Sequence, residues 1–168
     1  MLNSNENSVH QKWFEEAAKV ARNSRCQKAH CGAILVANDH IIGTGFNSPS
    51  GGEAPRCLDT YIIPENNKYN ITCCIHAEVR AIHDAIKNSP YDIANSVLYF
   101  MRIDNAGQIT KAGIPYCTIC SSEALDSGVN FFALWHTEEL GGITLYPTKE
   151  YNNISYNYFK DPTLWQLK

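Results

Sequence analysis

The sequence predicts an α/β fold, one mixed sheet with helices on both faces, and three observations predict it. Segments with three- and four-residue apolar spacing alternate with short β-branched runs, which is the pattern of a sheet covered by helices. Two of those runs follow one another across a two-residue gap, the mark of a hairpin inside that sheet. The chain has 168 residues, 44% of them hydrophobic, enough for one ordinary core and short for two. One domain over residues 1–168 is therefore expected, with its core over about 10–136 and an extension over 137–168.

The elements follow in order. With Ser8 as N-cap, "VHQKWFEEAAKVARNS" sets Trp13, Ala17, Val20 and Ala21 on one helical face. "CGAILVAN" and "IIGTGFN" are strands with Asp39 and His40 between them. Residues 48–70 hold the densest Gly, Pro and Asn of the chain and read as a long loop, a kind that is usually functional. "HAEVRAIHDAIKN" is a helix with Val79, Ile82 and Ile86 as its apolar stripe, stopped by Asn88 and Pro90. "SVLYFMRI" is a strand, and "DNAGQITKAGIP" a turn or small excursion. "CTICSSEALDSG" is a helix with Gly128 at its C-terminal cap, and "VNFFALWH" is a further strand. The tail from Thr148 is aromatic-rich and aperiodic, and is expected to pack over the body or against a neighbouring subunit.

Charge and cysteine usage bound the function. The net charge is −3 and Lys and Arg are dispersed, so the basic field that gathers nucleic acid is missing and a small-molecule substrate is favoured over a polynucleotide. No apolar run is long enough for a membrane span, and residues 1–13 lack the cationic start and apolar core of a secretory signal, so a cytoplasmic protein is expected. Seven cysteines, an odd number, are read as reduced thiols, some of them on metal.

His76 opens one helix, and Cys117 and Cys120 open another with Cys-x-x-Cys spacing. One imidazole and two thiolates are an ordinary zinc set, and three protein ligands leave a fourth position for water, which suggests catalysis rather than structure. Glu78 lies about 200° round a regular helix from His76, yet both reach a point beyond the first turn. Two helix N-termini favour thiolates there, and a carboxylate beside a metal-activated water can take and redeliver its proton. Alone, His-x-Glu is a polar helix start and Cys-x-x-Cys is half a zinc ribbon or a pair of core thiols; in combination they are specific. Cys74 stays open as a fourth ligand that would close the site.

His-x-Glu followed by Pro and Cys-x-x-Cys on successive helices is the signature of zinc deaminases of nucleobases. The chain resembles the cytidine/deoxycytidylate deaminase superfamily over residues 10–136. It looks most like the deoxycytidylate (dCMP) deaminase branch, through Gly45-Phe46-Asn47, a long loop containing Cys57, and Cys74-Ile75-His76-Ala77-Glu78. The resemblance implies a three-layer α/β/α fold, zinc on His76, Cys117 and Cys120, and Glu78 as proton shuttle. It implies that Asn47 bonds the sugar, that the Ala77 backbone reads the pyrimidine edge, and that a homo-oligomer forms. Its products would be a uracil-type base and ammonia. Rival readings are a deaminase of nucleosides, purines or pterins, a tRNA-editing enzyme, and a non-catalytic zinc-binding nucleotide sensor.

The chain departs from the family pattern in three places. Tyr116 intervenes between Pro115 and Cys117, Arg80 stands where dCMP deaminases often carry Asn, and the stretch between Glu78 and Pro115 is long. Arg80 is a candidate contact for an anionic substrate, with Arg22, Arg25, Lys28 and Arg56 as further phosphate candidates. Cys26, Cys31, Cys57 and Cys73 are read as buried thiols or as parts of a second metal site. His83 is two turns from His76 and too remote for the first zinc, and His10, His30, His40 and His136 are expected at the surface or at strand ends.

Overall fold

A hairpin of β1 (His30–Ala37) and β2 (His40–Phe46) forms one side of the sheet. Asn38 and Asp39 join its strands with φ of 50° and 59°, a left-handed pair that matches strand twist and that Asn and Asp tolerate better than other non-glycine residues. The turn is thus one residue earlier than expected, because both central positions need positive φ and His40 already pairs with Ala37. This is seen in a computed structural model, which describes residues 4–52, 74–161 and 163.

The strands β5 (Val97–Ile103), β7 (Phe131–Trp135) and β8 (Ile143–Pro147) complete a mixed sheet in the order β2-β1-β5-β7-β8. The β1/β5 and β7/β8 pairs are antiparallel and β5/β7 is parallel, joined through helix α3 (Thr118–Asp126) as a parallel pair requires. Within the expected excursion, β6 (Ile109–Thr110) folds back on β5. Alternate residues of β1 face opposite layers. Ile34 and Val36 meet Trp13, Phe14, Ala17 and Ala21 of α1 (Ser4–Ala21). Ala33 and Leu35 meet Ala77, Ala81, Ile82 and Ala85 of α2 (Ala77–Asn88), together with Phe132 and Tyr151. Helices cover both faces, as expected. Among the described residues no helix is long and apolar enough to cross a membrane.

Close contact between helices and sheet explains two departures from the expected stripes. A Cβ at Gly32 would collide with the backbone of Ala17 and Ala21, and one at Gly45 with the Ala77 carbonyl and the Ala81 nitrogen. Where α2 crosses Gly43 and Gly45 its buried residues are Ala77, Ala81 and Ala85; Ile82 is buried as expected, whereas Ile86 is 44% exposed and Val79 half-buried. Helix α1 begins at Ser4, a turn before the expected cap at Ser8, and it buries Phe14 and Ala18 while Val20 is half-buried.

The tail is not aperiodic. After β8 it forms helix α4 (Thr148–Lys160), whose buried face is Thr148, Tyr151, Ser155 and Tyr158. Tyrosine and hydroxyl residues at helical spacing carry that stripe, so a search for aliphatic periodicity passes over it. The expected loop over 48–70 starts as β3 (Ser48–Pro49), which pairs with β4 (Cys74–Ile75) immediately before α2. It continues as a short 3-10 turn over Ser50–Gly52, and residues 53–73, with Arg56, Cys57 and Cys73 among them, lie outside the described residues.

Candidate active site

Two helix starts converge on one point. His76 is the residue preceding α2, with extended backbone (φ −67°, ψ 152°) and no side-chain cap bond, so its ring is left to turn toward α3. Cys117 holds the equivalent place on α3, where its sulfur accepts the Cys120 backbone N–H at 3.4 Å. The His76 Nδ1 atom lies 3.1 Å from Cys120 Sγ and 3.4 Å from Cys117 Sγ, and the two sulfurs are 3.0 Å apart. Each helix end supplies free N–H groups and partial positive charge, which stabilise thiolate.

The donor set fits a zinc ion. Bonds of about 2.3 Å to sulfur and 2.0 Å to nitrogen in a tetrahedron need edges of roughly 3.8 Å between sulfurs and 3.5 Å between nitrogen and sulfur. The three edges fall short of these by less than about 1 Å, a small opening of side-chain torsions. One imidazole and two thiols select a borderline-soft cation over magnesium or calcium. Among the described residues, His76, Cys117 and Cys120 are the group of three donors within 4.8 Å of one another. Cys74 is buried in β4 and stands outside that group. Cys26 and Cys31 likewise join no such group among the described residues.

The electrostatics of this pocket set proton positions. The two thiols differ: Cys117 is lowered to about 5 by the hydrogen bond with Cys120 and then by His76, while burial pushes Cys120 well above the ordinary thiol range. Bonding to Cys117 raises His76 to about 9. Glu78 is 7% exposed, and burial, followed by the charge on Cys117, pushes its carboxyl up to about 6. A carboxylate enclosed in this way, with the Cys120 thiol as a hydrogen-bond partner, is held close to the three donors.

Asn47, at the end of β2, is buried, and its amide is largely occupied. Its Oδ1 accepts from Ser24 Oγ at 2.6 Å and from the Cys31 N–H at 2.9 Å, and its Nδ2 donates to the Ala29 carbonyl at 2.8 Å. One Nδ2–H remains by inventory. Ala77 is fully buried, and its N–H is among the first four of α2, which lack intrahelical acceptors. Arg80 is half-buried, and its Nη2 donates to the carbonyls of Ser48 at 3.3 Å and Pro49 at 2.9 Å.

His83 instead meets Glu123 at 3.1 Å across α2 and α3. His136 is buried at its strand end, with Nε2 2.9 Å from the Tyr146 hydroxyl. Three further residues bear on the site, of which the sequence singles out only Cys31, as a thiol. Cys31 is raised to about 12 by burial and then by the charge of Glu78. Tyr151 of α4 is fully enclosed and feels Glu78 and both thiols. Asn152 donates to Ser121 Oγ at 3.0 Å and so ties α4 to the helix that carries Cys120. For Tyr151 the signal in the sequence is the Tyr151-Ser155-Tyr158 spacing.

Comparison with known proteins agrees with this geometry. A family model described as the cytidine and deoxycytidylate deaminase zinc-binding region matches residues 7–132. Deoxycytidylate deaminase of Schizosaccharomyces pombe is 30% identical over 126 residues, 68% of this chain and 38% of that protein, so the chain spans well under half the length of this relative. Among solved structures, apo dCMP deaminase from cyanophage S-TIM5 aligns with a TM-score of 0.53 at 21% identity, over 78% of this chain and 82% of that one. Cytidine deaminase from Burkholderia pseudomallei aligns with a TM-score of 0.56 at 16% identity, over 84% and 94%. Those two likenesses show a shared cytidine-deaminase-like fold. With the family model matched across both helix starts and the sheet between them, the chain belongs to the cytidine and deoxycytidylate deaminase family.

Proposed function

We propose that the protein is a zinc-dependent hydrolytic deaminase of a free cytosine nucleotide, converting dCMP and water to dUMP and ammonia. The observation that carries this reading is the meeting of His76, Cys117 and Cys120 beside the buried carboxyl of Glu78. The S. pombe relative, a deoxycytidylate deaminase, supports the choice of substrate.

His76, Cys117 and Cys120 would hold the zinc. When bound, zinc lowers the pKa of a water and so supplies a nucleophile near neutral pH. Glu78 accepts the proton of the water that attacks C4 of the ring, passes a proton to N3, and carries a proton to the amine that leaves C4. The remaining Nδ2–H of Asn47 donates to a sugar hydroxyl, and the backbone of Ala77 reads the pyrimidine edge. The net charge of −3 with dispersed cations supports a free nucleotide over a polynucleotide. The same reading has the protein act in the cytoplasm as a homo-oligomer.

The test is a panel of dCMP, dCTP, deoxycytidine and cytidine offered to zinc-loaded protein and ranked by kcat/KM from ammonia release. The highest value is expected for dCMP. A nucleoside ranked above both nucleotides would move the assignment to a nucleoside deaminase.

A further inference from the structure

We infer that Arg80 is a positioning residue, a clamp that fixes Asn47 relative to His76 and thereby sets the distance between a nucleotide's sugar and its reacting ring. The inference rests on the deaminase reading above. Residues 47–49 and 74–76 run antiparallel, with Ser48 opposite Ile75 and Pro49 opposite Cys74, so Asn47 leaves one end of a two-rung ladder beside His76. A ladder that short has little stability of its own.

Arg80 spans it. Its backbone N–H donates to the His76 carbonyl at 3.2 Å, one turn along α2, and its side chain returns to donate to the carbonyls of both Ser48 and Pro49. Its Cβ sits against Gly45, two residues before Asn47, where a Cβ on residue 45 would come within 2.7 Å. The Nε atom is buried and, among the described residues, has no hydrogen-bond partner. A solvated surface arginine keeps its donors in water. This guanidinium gives up one bond and directs two others at the chain, and such charge-assisted bonds are the strong ones. Asn47 is held from the other side by Ser24, Ala29 and Cys31, so the strand segment carrying it is fixed between two sets of bonds. On this inference the guanidinium acts on substrate through Asn47.

The test combines Arg80→Ala, Arg80→Lys, Asn47→Ala and the double variant Arg80→Ala/Asn47→Ala, with dCMP as substrate. Arg80→Ala is expected to lower kcat/KM by about 100-fold, the scale of a 1 Å misplacement, with zinc content unchanged. If Arg80 works through Asn47, the double variant is no slower than Asn47→Ala alone, and Arg80→Lys, which reaches one carbonyl, recovers part of the loss. Losses that multiply in the double variant, or loss of zinc in Arg80→Ala, would overturn the inference. Amide hydrogen exchange gives a readout independent of activity. Arg80→Ala and Arg80→Lys must speed exchange at residues 48 and 75, and unchanged exchange refutes the clamp even if the protein deaminates nothing. Absence of ammonia release by wild-type protein, with exchange speeded in the variants, counts against the deaminase reading alone.

Discussion

The backbone carbonyl of Ala77 lies so close above Gly45 that a methyl group on residue 45 would strike it. The contact joins the residue after His76 to strand β2, which Asn47 follows, so the helix that aims the site and the strand that borders it are packed without a side chain between them. Gly45→Ala is expected to destabilise the fold by about 3 kcal/mol, the upper end for overpacking, because backbone rather than a flexible side chain must move. Urea unfolding reads this as a lower midpoint at unchanged slope. An unaltered midpoint would show that α2 can lift from the sheet at no cost.

Loss of a donor should release the metal and lower stability together. Cys120→Ser is expected to weaken zinc binding by more than about 100-fold, beyond the effect usual for a supporting partner of a ligand. Zinc at about a thousand times its dissociation constant should stabilise the wild-type protein by about 4 kcal/mol. Thermal melts with zinc and with chelator check this directly. Coincident melts for the wild type would count against a metal bound by these residues.

Helix α4 should act as a brace. Tyr151 stacks on Phe132 with ring centroids 3.9 Å apart and planes 11° from parallel. Its replacement by Ala is expected to cost about 3–5 kcal/mol. Asn152→Ala removes the bonds to Ser121 and Ser122 and is expected to cost about 1 kcal/mol. Denaturant midpoints measure both. Equal small effects would mean that α4 rests on the body without ordering α3.

What the sequence made legible divides along physical lines. The convergence of His76, Cys117 and Cys120 could be read because each stands in or just before the first turn of a helix, where a local pattern marks the position. Strands β1, β2, β5 and β7 were readable from β-branched runs, β8 was not, and the structure bears out the mixed sheet with helices on both faces. Of the expected stripe of α2 Ile82 is buried, but Ala77, Ala81 and Ala85 replace Val79 and Ile86 because Gly43 and Gly45 bring the sheet against the helix backbone there, a constraint set by residues more than thirty positions away. Helix α4 was missed because its buried face is tyrosine and serine. The bonds of Asn47 to Ser24, Ala29 and Cys31 join residues 16 to 23 positions apart and leave no periodic trace.

The most direct test of the account is ammonia release from dCMP by protein carrying one zinc per chain, measured for the wild type and for Glu78→Gln. The wild type should turn dCMP into dUMP with stoichiometric ammonia, while Glu78→Gln should retain its zinc and lose about a hundredfold to ten-thousandfold in kcat, the range for removing a general acid–base. Undiminished turnover in Glu78→Gln, or no ammonia from the zinc-loaded wild type with dCMP or any other cytosine nucleotide or nucleoside, would contradict it.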